Sequence, residues 1–339
     1  MLTTAGRVGA QRIPALDFTK GTLVLFMVLY HWINYFIGIQ WAYYRYLRFL
    51  SPSFIFISGF MISNVYLSKY DVANPQLTKR LVTRGLKLIA IFLALNIARD
   101  CMLPRLSTGG LVANLLNPES ILATFVTGDF TGKLVAFFIL VPIAYLLLLS
   151  GLLMLPQRIY RYTFHVVCVF LFIAISMLDL TGAKNQDLEL VAIGMLGVLA
   201  GFTPIERINK SVRRPYLLAF AYLLYTVAIA IWNVPFPLEV VGTCLSVMVI
   251  YLVGSTERQP GRIRNEVILL GKYSLFAYIS QIAILQILKA SLWHLSFGIP
   301  VLVVSAVVAF ALTVISVEVV DRARLAAPSI NRLYKAVFN

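Results

Sequence analysis

Residues 15–37 read ALDFTKGTLVLFMVLYHWINYFI. From Thr22 to Tyr30 no side chain is charged, and a helix over the whole stretch would be ~35 Å long at ~1.5 Å per residue. That exceeds the ~30 Å of a hydrocarbon core, and lipid offers no partner for bare backbone groups, so the stretch must be helical if it crosses. It is too long for the apolar core of a cleavable signal and lacks a small-residue cleavage site, so it is expected to remain as an anchor.

Similar runs recur along the chain. Helices are expected at roughly 15–37, 51–68, 84–99, 133–155, 162–180, 187–205, 215–233, 236–255, 265–289 and 297–320. The 339 residues are 60% hydrophobic and only 13% charged, too little polar surface to cover a soluble domain of this length. The fold expected is therefore all-α, a polytopic integral membrane protein of about ten transmembrane helices. No internal repeat is evident, and one membrane domain over 1–339 is the simplest organisation. It comprises an N-terminal segment 1–13, a long outer loop 101–132 and a tail 321–339. The loop contains Asn117-Pro118-Glu119-Ser120; loops of this length are commonly functional or mobile.

The net charge of +15 would suggest nucleic acid in a soluble protein. Here the basic residues gather in short loops. With the N-terminus inside, 22 Lys and Arg fall on inner flanks and 7 on outer ones. That bias points to topology and membrane lipid rather than nucleic acid, and puts both termini in the cytoplasm. The cysteines Cys101, Cys168 and Cys244 have no metal-like spacing and suggest no disulfide framework.

Ionisable residues in a span are costly, and each is a functional hypothesis. His31 follows Lys20 by eleven residues, about three helical turns, so the two share a face with Lys20 near the inner surface and His31 past the midplane. Asn34 and Tyr35 extend the stripe and are placed to hydrogen-bond the imidazole. A neutral buried imidazole can accept a proton and act as a general base. Read alone, His31 is equally a packing histidine and Lys20 a snorkelling lysine. Ser58-Gly59, in the second helix, is a small patch permitting close helix approach. Arg80 and Arg84 stand one turn apart and match phosphate geometry, although an ordinary positive-inside cluster would look the same. Lys272 opens the ninth helix, where Ser274, Tyr278 and Gln281 share a face. Arg45 and Arg48 lie on the side poor in cations, as contacts for an anionic substrate or as interface anchors. Glu189 and Glu239, near outer helix ends, are candidate carboxylate partners.

Taken in order, these blocks resemble the transmembrane acyltransferase-3 superfamily. The opening helix looks like Leu16-Asp17, Lys20-Gly21 and His31; the second resembles Phe56-Ile57-Ser58-Gly59-Phe60; an Arg-x-x-x-Arg pair is matched by Arg80 and Arg84. A late segment is similar over Leu270 to Tyr278. The resemblance implies an enzyme that moves an acyl group, most simply acetyl, from cytoplasmic acyl-CoA to an extracytoplasmic glycan hydroxyl. It implies a bacterial inner membrane as the location. His31 would be catalytic, with Asn34 or Tyr35 orienting it. Lys20, Arg80, Arg84 and Lys272 would engage acyl-CoA, with Arg45, Arg48 and Ser58 as acceptor-site candidates and no metal. The rival reading is a transporter or flippase for a lipid-linked saccharide, with His31 as a gating or proton-relay group; repeated halves would mark one, and none is clear.

Overall fold

A computed structural model describes residues 13–38, 40–67, 75–102, 119, 122–127, 136–157, 159–212, 214–232, 235–256, 261–292 and 298–338. The described residues are helical throughout apart from short turns. In chain order the helices are α1 (Pro14–Trp32), α2 (Gln40–Leu47), α3 (Leu50–Met61), α4 (Pro75–Met102), α5 (Leu140–Gln157), α6 (Thr163–Leu180) and α7 (Gln186–Gly201). There follow α8 (Ile205–Val212), α9 (Pro215–Ile231), α10 (Phe236–Ser255), α11 (Arg262–Lys272), α12 (Ser274–Ser291), α13 (Ile299–Ala326) and α14 (Pro328–Phe338). Two α-helices finish in π-helical turns: α1 over Ile33–Ile37 and α3 over Ile62–Leu67.

Seven of these helical stretches, those containing α3, α4, α5, α6, α10, α12 and α13, are long and apolar enough to cross a membrane. The protein is a multi-pass membrane protein as expected; α9 is a shorter apolar helix, and α1 and α7 fall outside the seven. Sequence chemistry sets many of the starts. Pro14, Pro215, Pro237 and Pro300 occupy the first turns of α1, α9, α10 and α13, where a missing N–H costs nothing. Asn185 caps α7, its side-chain oxygen accepting from the Leu188 amide at 2.9 Å.

Helices meet where side chains are absent. A Cβ on Gly59 would stand 2.0 Å from the Gly194 carbonyl oxygen, and one on Gly197 would stand 2.1 Å from that of Phe56, so α3 and α7 touch backbone to backbone. A second such joint links α1 to α11, with Gly21 against Val267 and Gly271 against Asp17. Small residues allow this approach in a membrane, where packing rather than water drives association. Around the joints Leu23, Ile55, Leu81, Phe92, Leu140 and Ile193 are completely covered.

Four expectations change. The ninth helix is not continuous over 265–289: it breaks at Tyr273 into α11 and α12, the backbone there leaving helical geometry at φ −109°, ψ 26°. The third extends well beyond 84–99, because its basic first turns continue the helix towards Pro75. The fourth begins at Leu140 rather than 133, behind a turn in which Phe137 has φ +63°. Finally, the last span runs to Ala326, and most of the expected tail is the helix α14, turned back after an extended Ala327. Most of the expected outer loop 101–132, including Asn117 and Pro118, lies outside the described residues; a π-turn at Ala123–Thr127 is anchored by Tyr145, whose hydroxyl donates to the Phe125 carbonyl at 2.6 Å.

Candidate active site

The N-terminus of α1, the α11–α12 junction and the C-terminus of α13 gather at one end of the bundle, where Lys272 and Tyr273 both contact Asp321. This basic end carries a cavity of about 230 Å³. Lys20, Arg84 and Lys87 line it, and its apolar interior reaches Ser58, Phe54 and Tyr278. Lys20 is held by Asp17, one turn back on α1, at 2.6 Å. The Arg84 guanidinium lies 5.4 Å from the centre of the Tyr66 ring.

Part of the mouth is formed by α14. Val337 and Phe338 line the cavity, Lys87 Nζ donates to the Ala336 carbonyl at 2.9 Å and Arg84 to that of Phe338 at 3.4 Å. The last carbonyls of a helix lack intrahelical partners and carry partial negative charge, so they attract cations. None of the side chains of α14 is buried. The helix is latched instead by the Arg324 guanidinium, 4.0 Å from the Tyr334 ring centre, which also donates to Asn331.

Of the four cations expected at the donor site, Lys20 and Arg84 border the cavity. Arg80 is exposed, one turn nearer the basic end, and Lys272 instead forms an ion pair with Asp321 at 2.9 Å. Lys87 was not among those expected. It stands three residues beyond Arg84, the spacing of neighbours on one helix face, and that signal was available. Ser58 lines the cavity, its hydroxyl donating to the Phe54 carbonyl at 2.8 Å.

His31 is partly buried at the far end of α1, immediately before its π-turn. Such turns often mark functional sites. The imidazole packs against Tyr30 (ring centres 5.1 Å apart) and Tyr278 (6.4 Å). Among the described residues no group hydrogen-bonds it. Tyr35 accepts from Gln286 at 3.1 Å and is engaged away from the imidazole, and Asn34, although near His31 in sequence, makes no hydrogen bond to it. The Tyr278 ring also lies 6.4 Å from that of Phe54, the two tilted by 52°. The basic cavity therefore ends on Tyr278 and Phe54, and His31 stands behind that aromatic wall rather than in the cavity itself.

On the opposite side of His31, the Tyr30 ring lies 5.8 Å from that of Tyr44, which feels the charges of Arg48, Glu239 and Glu189. Arg48 pairs with Glu239 at 2.8 Å and, with Glu189, Asp179, Lys184 and Trp232, lines an open cleft. Arg45 donates to the carbonyls of Ile229 and Ala230, at the end of α9. Glu189 and Glu239 thus meet Arg48, with two tyrosines between them and His31.

The arrangement is a chain of sites: a cationic mouth, an apolar shaft, an aromatic wall, an unbonded imidazole and a charged cleft at the other end. Such a chain suits group transfer. No curated protein and no solved structure matches the chain. The family model described as acyltransferase domain, acyltransferase-3, matches residues 13–318. The blocks that pack at Gly21 and Gly271, the His31 helix and the Arg84 helix all fall within that match, and the chain belongs to the acyltransferase-3 family of membrane acyltransferases.

Proposed function

We propose that the protein transfers a short acyl group, acetyl in the simplest case, from cytoplasmic acyl-CoA to a hydroxyl of an extracytoplasmic glycan, in a bacterial inner membrane. Lys20, Arg84 and Lys87 engage the phosphates of the donor, with Arg80 and Lys272 as outlying cations. The pantetheine arm lies in the apolar shaft past Ser58. The thioester then passes the Tyr278–Phe54 wall to His31. His31 takes the proton of the acceptor hydroxyl as its oxygen attacks the thioester carbonyl carbon, and the departing CoA thiolate takes that proton back.

The cleft at Arg48 receives the acceptor. Its charges are mixed, Arg48 and Lys184 facing Asp179, Glu189 and Glu239. That mixture suits an uncharged polyhydroxyl compound better than an anion, and exposed Trp232 adds a flat apolar surface. Arg45, Asn34 and Tyr35 shape the walls around this path rather than touching reacting atoms.

The observation that carries this reading is the unbonded imidazole between two polar sites at opposite ends of the bundle. Membranes bearing the full chain and supplied with isotopically labelled acetyl-CoA are expected to form a base-labile labelled glycan ester. His31→Ala should lower that rate by ~10²-fold or more, the range of general-base catalysis, while the protein melts at its usual temperature. Equal labelling by both proteins would refute the assignment.

A further inference from the structure

Gln281 is completely buried on α12, and neither its side-chain oxygen nor its side-chain nitrogen has a hydrogen-bond partner. Among the described residues it is the one carboxamide orphaned at both atoms. A buried amide normally finds partners, because leaving one unmet costs more than a typical bond contributes. Other polar side chains on this part of the bundle are met. Thr313 and Ser316 donate to backbone carbonyls, Gln286 reaches Tyr35, and Trp32 bonds Ser305. The exception therefore asks for a reason.

Register places the amide. α1 and α12 run side by side in the same direction: Val24 and Ala277 share one buried cluster, Val28, Phe36 and Leu285 the next, and Gln286 bonds Tyr35. Gln281 lies between those contacts, so its depth matches that of residues 28–31. It follows Tyr278 by three positions and precedes Leu285 by four, and both of those side chains pack on α1, Tyr278 on His31 itself. One helix face thus carries the wall tyrosine and the orphaned amide at the level of the unbonded imidazole.

We propose that the Gln281 carboxamide donates a hydrogen bond to the thioester carbonyl oxygen of the acyl donor, and stabilises the negative charge that grows there during attack. As the acceptor oxygen bonds to the carbonyl carbon, His31 takes the hydroxyl proton and the carbonyl π electrons move onto oxygen, where the N–H of Gln281 meets them. Collapse of that intermediate restores the carbonyl, breaks the carbon–sulfur bond and returns the proton from His31 to the thiolate. The buried amide is unsatisfied in the resting protein because its partner arrives with the substrate. A donor held ready in a dry site needs no reorganisation during reaction, which is where such groups are most effective.

The inference rests on the acyl-transfer reading above, and one experiment separates the two. The full-length protein and its Gln281→Met and Gln281→Leu variants are assayed for thiol release from acetyl-CoA in native membranes, which hold the acceptor, and after purification for thermal unfolding. The expected result is a fall in kcat of ~10²–10³-fold with KM for acetyl-CoA little changed. Stability should be equal or higher, because an apolar side chain removes an unmet amide. Near-wild-type kcat in a folded variant overturns the role of Gln281. A parallel loss of stability in both variants does so too, since the amide would then be met within the fold. Wild-type protein that releases no thiol overturns the acyl-transfer reading, and the inference with it.

Discussion

Replacing Gly271 by alanine tests the joint on which the site is built. A Cβ there would stand 1.7 Å from the Asp17 carbonyl oxygen and 2.9 Å from the Gly21 amide nitrogen. Ordinary contact begins at 3.4 Å, so α1 and α11 must part by about 1.7 Å along that line. Both atoms in the way are backbone, and no rotamer change can relieve the overlap. Overpacking of this kind costs ~1–3 kcal/mol, and more where the backbone itself must move. The displaced segment of α1 carries Asp17 and Lys20 at the cavity mouth, and an ~1 Å misplacement at a reacting site commonly lowers a rate by ~10². Thermal unfolding can be followed with a thiol-reactive dye, because Cys168 is a free, buried cysteine that becomes reactive when the bundle opens. Gly271→Ala is expected to melt several degrees lower and to lose most of its acyl-transfer rate. Gly261→Ala, where nothing lies within 4 Å, should leave both unchanged. Gly21→Ala should resemble Gly271→Ala, and the double variant should lose less than the sum, since one separation of the helices relieves both overlaps. A Gly271→Ala protein that melts and turns over like the parent would show that the two helices do not touch as described.

Two further outcomes follow from the ends of the bundle. Arg84→Ala and Lys87→Ala should each raise KM for acetyl-CoA by ~10-fold or more, the worth of a hydrogen bond to a charged group, and Arg80→Ala should raise it far less; equal effects from all three, in initial-rate measurements, would mean that the cavity is not the donor site. Arg48→Ala leaves Glu239 buried without its partner, and should destabilise by an amount at or below the low end of the ~3–5 kcal/mol typical of a broken buried pair, because the arginine is partly exposed; Glu239→Gln should cost less, and the reverse order of melting temperatures would contradict the pairing.

The membrane fold was legible because each traverse is written as a local run of apolar residues, and local hydrophobicity needs no tertiary information. The bias of Lys and Arg between loops adds an expected orientation. What one-dimensional reading could not supply was depth and direction across helices. Lys20 and His31 do share α1, but Tyr278 comes from α12, distant in sequence, and its ring closes the path between them. Asn34 and Tyr35 lie one turn from His31, and spacing alone favoured them as its partners. Gln286, distant in sequence, engages Tyr35 instead. Arg80 and Lys272 show the same limit from the charge side: a cation near a mouth in sequence can face solvent or an aspartate from α13. Gln281 was visible as part of a polar stripe, but that it lacks any partner is a property of the packed bundle.

The aromatic wall also has a chemical consequence for the order of events. A thioester resting beside an exposed base would be open to attack by water entering through the basic cavity. With Tyr278 and Phe54 closing the shaft, the imidazole is shielded from the cationic mouth, while the path through Tyr30 and Tyr44 leads to the cleft at Arg48. Excluding water from the reacting centre strengthens every electrostatic interaction there and suppresses hydrolysis. Under the acyl-transfer reading proposed above, this order of side chains favours transfer to an acceptor over hydrolysis of the donor.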